Sequence, residues 1–170
     1  MFSQIRKTIS LTMVTMTCAT ALSAQDAASS QQDVLLTVSG AVDTTTAEGL
    51  TFDREDLMAL PVTTIETSTI WNDGIHSFTG VALSDLIELL GVDSGTLLAT
   101  AINDYTVEIP VTDAVEGGPI IAYLMDDAEM QVRDKGPLWI VYNYDSSAEY
   151  RSEVIYSRSI WQLDRIEVER

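Results

Sequence analysis

Two nearly continuous apolar runs, at residues 119–125 and 138–144, constrain the fold of this chain most strongly. Runs of this length without polar alternation are typical of buried strands. The acidic pair Asp126-Asp127 turns the chain between them. Further strands are predicted from β-branched or alternating residues at 34–39, 63–71, 75–78, 105–110 and 162–169.

Two helices separate these strands. Residues 52–60 form the first, with Asp53 as its cap and Pro61 as its stop. The second is capped by Ser84 and ends at Gly91, and one further helical turn is predicted at 112–115. The apolar stripe of the second helix consists of Leu86, Ile87, Leu89 and Leu90. The sequence therefore predicts an α+β fold, with mixed β-sheets and two or three short helices.

The N-terminus has the pattern of a secretory signal peptide. Two basic residues, Arg6 and Lys7, precede a short apolar run, and small residues follow up to Ala24. We expect a signal peptide at 1–24, a polar linker at 25–33, one domain at 34–170, and a periplasmic location. A lipid anchor on Cys18, the only cysteine, is the competing interpretation. Otherwise no stretch is long enough for a membrane anchor.

The charge balance excludes one class of partner. The chain has 26 acidic residues against nine basic ones, a net charge of −17. Residues 25–170 keep all 26 acidic residues and seven basic ones, which gives a net charge of −19. Such a surface repels phosphate backbones and anionic membranes, so we expect no nucleic-acid binding.

Four segments together resemble a known family. Phe78–Ile87 resembles the "F-x-G-V-x-L-x-D-L-L" segment of the sulfite-oxidase-like molybdopterin-binding domain. Residues 101–105, 135–141 and 161–168 resemble its "A-x-D-G-Y", "G-G-P-L-R-L-V" and closing strands. The resemblance covers about residues 34 to 169. It implies the sulfite-oxidase-like fold and a pyranopterin cofactor that holds molybdenum. In that family a protein cysteine thiolate completes the coordination of the metal.

The chain departs from this pattern where the cofactor would be held. The resemblance places the cysteine near Ser68, and serine is a harder and less acidic ligand. Trp139 replaces an arginine suited to the cofactor phosphate. Arg158 remains a candidate phosphate contact, and Asn103 and Asp104 match a cofactor-side strand. The signal also lacks the twin arginine of proteins that are exported folded. We therefore expect no bound cofactor, with molybdopterin as the alternative.

The residues themselves indicate no catalytic group and no metal site. His76 is the only histidine, which excludes histidine clusters for zinc or haem. No G-x-S-x-G elbow supports a serine nucleophile. Neither a catalytic residue nor a metal ligand is assigned, apart from Ser68 as the weak candidate implied by the resemblance.

Aromatic residues concentrate near the expected cofactor cleft. They are Trp71, Tyr105, Trp139, Tyr142 and Trp161. They either line a pocket for a small organic ligand or pack the core. Two functions follow as hypotheses. The first is a non-catalytic periplasmic module that binds a small ligand or a periplasmic or membrane protein, as an accessory to a membrane sensor or redox system. The alternative is a minimal molybdopterin-dependent oxidoreductase with a non-cysteine ligand set.

Overall fold

The structure is a computed structural model that describes residues 33–42 and 49–170. Cys18, the predicted signal peptide 1–24 and all of the predicted linker except Asp33 lie outside the described residues. Two five-stranded sheets and three short α-helices make up the described part. The predicted α+β class is confirmed.

The first sheet has the strand order β2-β1-β10-β5-β6. These strands are β1 (Leu36–Gly40), β2 (Leu50–Phe52), β5 (Thr96–Ala101), β6 (Thr106–Pro110) and β10 (Leu163–Glu169). The pair β1–β10 is parallel and the other three pairs are antiparallel. In β10, Leu163, Ile166 and Val168 are buried between more exposed polar residues, as predicted.

The second sheet has the order β3-β4-β7-β8, with β9 on the other edge of β7. Its strands are β3 (Val62–Ser68), β4 (Ile75–Ala82), β7 (Ile120–Met125), β8 (Ala128–Glu129) and β9 (Trp139–Val141). All pairs are antiparallel. Ile120–Tyr123 and all of β9 are buried, which confirms that the two apolar runs lie in the core.

Gly80 allows β4 and β7 to approach closely. A Cβ atom on Gly80 would lie 2.0 Å from the Ile121 carbonyl oxygen. The strand register also shifts between Thr79 and Gly80, as at a β-bulge. The glycine of the "F-x-G-V" segment is therefore a packing requirement.

The α-helices of the described part are short, and a side chain caps the N-terminus of α1 and α3 but not of α2. In α1 (Arg54–Ala59) Asp53 and Asp56 form the predicted capping box, with the Asp56 N–H donating to Asp53 Oδ1 at 2.8 Å. In α2 (Leu83–Leu89) the N-cap is Ala82, so the prediction that Ser84 caps this helix was wrong: β4 runs directly into it. Leu89 is exposed, because the helix turns that position away from the core. The third helix, α3 (Glu153–Arg158), is capped by Ser152.

Several bounds differ from prediction. Strand β3 ends at Ser68, so Trp71 lies in the loop before β4 rather than in a strand. Only Trp139–Val141 of the run 138–144 pairs in a sheet. Strands β2, β5 and β8 and helix α3 were not predicted. Three 3-10 helices, Val111–Asp113, Val132–Asp134 and Ala148–Tyr150, complete the connections.

Candidate ligand-binding cleft

A cleft of about 360 Å³ opens beside the end of α3. One wall comes from the end of α3 and the segment after it, another from the β5–β6 turn, and a third from the loop before β4. The described lining residues are Trp71, Ala101, Asn103, Tyr105, Tyr156, Ser157, Ser159, Ile160, Trp161 and Gln162. The volume falls within the usual size range of small-molecule sites.

Trp71 is the centre of an aromatic cluster that forms part of the cleft wall. Thr69 Oγ1 fixes the loop locally, since it accepts from the N–H of Trp71 and of Asn72 at 3.2 and 3.0 Å. The Trp71 ring lies edge-on to Trp161 and Tyr156, with centroid distances of 5.5 and 5.8 Å. It also contacts Trp139 at 5.7 Å. Edge-to-face pairs of this kind add stability beyond burial alone.

Of the five aromatic residues predicted for a pocket, three line the cleft: Trp71, Tyr105 and Trp161. Trp139 does not, because it lies fully buried in β9, where its Nε1–H donates to the Ser159 carbonyl at 3.2 Å. Tyr142 does not either, because it is fully buried and its hydroxyl donates to Asp113. For these two residues the core-packing interpretation applies.

Ser68, the residue nearest to the expected cysteine position, is bound to a carboxylate. Its backbone N–H and its hydroxyl donate to the two Asp145 oxygens at 2.6 and 2.9 Å. In return the Asp145 N–H donates to Oγ1 of the buried Thr67 at 3.1 Å. These bonds lower the pKa of Asp145, with the Ser68 N–H as the largest cause. Ser68 therefore ties the end of β3 to the segment after β9.

Arg158, the candidate phosphate contact, is bound to an acidic residue. Its Nη1 lies 2.8 Å from Asp113 Oδ2, and both side chains are largely buried. The Tyr142 hydroxyl donates to the same oxygen at 2.8 Å. Burial, followed by the hydrogen bond to Asp113, raises the pKa of Tyr142 far above its ordinary value. Tyr142 and Arg158 both bind the Asp113 carboxylate, and the pair with Arg158 links α3 to the 3-10 helix after β6.

The remaining two cofactor-site candidates, Asn103 and Asp104, lie in different surroundings. Asn103 lines the cleft, and its Oδ1 accepts from the Tyr105 N–H at 3.1 Å. Asp104 has a left-handed backbone with φ of 66°, and its exposed carboxylate pairs with Arg165 outside the cleft wall. The turn therefore directs one candidate toward the cleft and the other toward β10.

His76 belongs to a separate arrangement at the start of β4. Its Nδ1 lies 2.7 Å from Asp126 Oδ2, and Nε2 lies 3.0 Å from the Asp73 carbonyl. The hydrogen bond to Asp126 raises the pKa of His76, and the same bond lowers the pKa of Asp126. The pair fixes the turn after β7 against β4, which is a structural role.

Six of the ten described lining residues were not predicted from the sequence, Ala101 among them. The others are Tyr156, Ser157, Ser159, Ile160 and Gln162, and the helix that positions the first two was missed. One signal was present: Ser152 followed by Glu153 is a common start of a helix, and the Ser152 hydroxyl accepts from the Ile155 N–H at 3.4 Å.

Comparison with known families places this geometry in context. The model of the oxidoreductase molybdopterin binding domain matches residues 21–144. The chain belongs to this family. No curated protein matches the chain. The family match ends before α3, so residues 156–162 of the cleft wall follow the matched part of this family member.

Members of the molybdopterin-binding family usually bind molybdopterin, but the donor set here does not fit that group. The hydroxyl of Ser68 is bound by a carboxylate, which would repel an anionic dithiolene beside it. Trp139 offers no charge for a phosphate, and Arg158 is paired with Asp113. In the described ranges, no three His, Cys, Asp or Glu side chains group as a metal site.

Within residues 33–42 and 49–170, no helix is both long enough and apolar enough to cross a membrane.

Proposed function

We propose that this chain is an exported, sulfite-oxidase-like family member without catalytic activity, and that it binds a small organic ligand in the aromatic cleft. The observation that supports this most directly is the pairing of the two cofactor-side candidates within the protein itself. Ser68 donates to Asp145 and Arg158 pairs with Asp113. Each bond satisfies a group that a pterin site would need free.

The cleft supplies the second part of the proposal. Four aromatic rings and several polar groups share one concave surface, which is the composition of small-molecule sites. Trp161 and Tyr105 remain 38% and 57% exposed, so aromatic surface stays available to a ligand. A core that merely filled a vacated space would be expected to bury both rings.

The proposed location is the periplasm, after cleavage following Ala24. In this setting the module would act on a periplasmic or membrane protein partner, such as a sensor or redox system, when its ligand is bound. N-terminal sequencing of the protein recovered from the periplasm checks the first step, with Gln25 as the expected first residue. An intact Met1 on recovered protein would contradict export by cleavage.

The binding function is tested by a ligand screen on the full exported protein. A library of small cationic, neutral and anionic organic molecules is added, and Tm is measured together with tryptophan fluorescence. A ligand at about 100 times its Kd stabilises by ~2.7 kcal/mol, which raises Tm by several degrees in a domain of this size.

A matched pair of variants assigns any hit to the cleft. In Trp161→Leu the ring is lost while most of the apolar volume is kept, so the Tm increase should shrink clearly. In Leu89→Ala an exposed apolar side chain is shortened outside the described cleft wall, and the increase should persist. Hits that stabilise both variants equally, or the absence of any hit, would contradict the proposed function.

A further inference from the structure

We propose that the ligand of the aromatic cleft is an organic cation of the quaternary-ammonium class. This inference rests on the proposed function and adds the chemical class of the ligand. Three observations support it: the mutual orientation of the rings, the absence of charge on the described wall, and the direction of the polar groups.

The aromatic rings of the cleft are steeply inclined to one another. The Trp71 plane is inclined by 78° to Trp161 and by 84° to Tyr156, with centroids 5.5 and 5.8 Å away. Tyr105 lines the same cleft from the β5–β6 turn. The Trp161 and Tyr105 side chains are 38% and 57% exposed, so each can offer π-surface to a tetrahedral cation from its own wall of the cleft. This arrangement is the known physical basis for recognition of methylated ammonium groups.

The charges around the cleft favour a cation over an anion. None of the described lining residues carries a formal charge. Arg158, which is next to the lining residue Ser157, is neutralised by Asp113. Lys135 places its ammonium 5.4 Å from the centre of the Trp139 ring, which is outside the lining set. The chain as a whole has a net charge of −17, which attracts cations and repels anions at long range.

The polar groups of the wall direct several protons away from the cleft. The hydroxyls of Ser157 and Ser159 donate to the carbonyls of Val154 and Ile155 at 2.7 and 2.8 Å. The Gln162 amide donates to the Val132 carbonyl at 2.7 Å. The Ser159 oxygen is also used, because it accepts from the Tyr144 hydroxyl at 2.7 Å. Acceptor lone pairs for a ligand are therefore left on the side-chain oxygens of Ser157 and Gln162. Oxygen acceptors beside aromatic faces suit a cation and a hydroxyl group attached to it.

The test compares choline with its neutral tert-butyl analogue, which has nearly the same shape but no charge. Binding is measured by calorimetry at low salt and by tryptophan fluorescence, with the full exported protein. We expect choline to bind and the neutral analogue to bind roughly tenfold more weakly or worse, since only the cation gains from the ring faces.

Variants of the aromatic lining residues test whether the preference for choline arises in the cleft. Trp161→Leu should weaken choline binding by roughly tenfold, whereas the conservative Trp161→Phe should retain much of it. Tyr105→Phe keeps the ring and should change little. Unchanged Tm values identify variants that fold normally, and tetramethylammonium serves as a second probe that has no hydroxyl.

The outcomes separate this inference from the proposed function. Equal binding of choline and its neutral analogue would overturn the cation class while leaving a ligand-binding cleft. Absence of choline binding would also overturn it, and the Tm screen would still report on ligands of other classes. Choline binding of unchanged affinity in Trp161→Leu would place the site elsewhere and overturn the inference.

Discussion

Ser68 and Asp145, 77 residues apart in sequence, form a two-point hydrogen bond: the serine N–H and hydroxyl reach the two carboxylate oxygens at 2.6 and 2.9 Å. The bond closes the end of β3 onto the segment that follows β9. The residue nearest to the family's expected metal-ligand position is thus part of the internal framework. Ser68 holds the Asp145 carboxylate through two hydrogen bonds, which we call the Ser68–Asp145 clamp.

This clamp predicts a measurable stability effect. Asp145→Asn removes the charge that strengthens both bonds and should lower the free energy of unfolding by about 1 kcal/mol, since the site is solvent-exposed. The lowered pKa of Asp145 sets the sign with pH. Its contribution is present above the unfolded-state pKa and is lost as pH falls through the folded-state pKa. Urea titrations of both proteins near neutral pH and in acid check this, and an equal gap at both would contradict it.

The His76–Asp126 pair predicts the opposite direction for histidine. The pKa of His76 is raised, so its stabilisation is fully present below the unfolded-state pKa of about 6.5 and is lost as pH rises through the folded-state pKa. The stability advantage over His76→Gln should therefore shrink between about pH 5.5 and about pH 8.5. Thermal unfolding across this range measures it. An advantage that grows with pH would show that the histidine is neutral when paired.

The Arg158–Asp113 pair predicts that the arginine stabilises the fold and is not a phosphate site. Removing either partner leaves the other largely buried without its counter-charge, so Arg158→Met or Asp113→Asn should cost about 1–3 kcal/mol. The double variant should recover part of this loss, and a double-mutant cycle gives the coupling. Inorganic phosphate should not stabilise the wild type. Phosphate stabilisation that disappears in Arg158→Met would contradict this assignment.

Gly80 predicts a steric effect in the second sheet. Gly80→Ala places a methyl group against the Ile121 carbonyl and Ala122 Cα, both backbone atoms that cannot rotate away. We expect a loss of about 2–4 kcal/mol. Gly74→Ala is the matched control: it has open space but a φ of +90°, so only backbone strain of about 1–2 kcal/mol applies. A smaller loss at Gly80 than at Gly74 would argue against the close approach of β4 and β7.

Sequence patterns were sufficient to predict the elements that are determined by residues close together in the chain. The α1 cap was readable because Asp53, Asp56 and Pro61 lie within nine residues, and β7 because its side chains are apolar throughout. Strand β5 was missed because Thr-Leu-Leu-Ala-Thr-Ala has no clear alternation of apolar and polar residues. The prediction that Ser84 caps α2 was wrong because β4 continues into α2 without a break.

The site depended on long-range geometry that residue types do not encode. Trp139 and Trp161 are chemically identical and form one backbone bridge, yet the first is fully buried and the second lines the cleft. Ser68 showed no sign of its partner, since Asp145 lies in a distant segment. Asn103 and Asp104 are neighbours, but the left-handed backbone of Asp104 sends them to different surroundings.

Whether this family member carries a cofactor is decided by the molybdenum and pterin content of the protein, recovered from the periplasm of a host supplied with molybdate. We expect neither above background, because Ser68 and Arg158 are bound to Asp145 and Asp113. About one molybdenum per chain, with a fluorescent pterin released on oxidation, would contradict this expectation and identify the protein as a molybdopterin enzyme with an unconventional ligand.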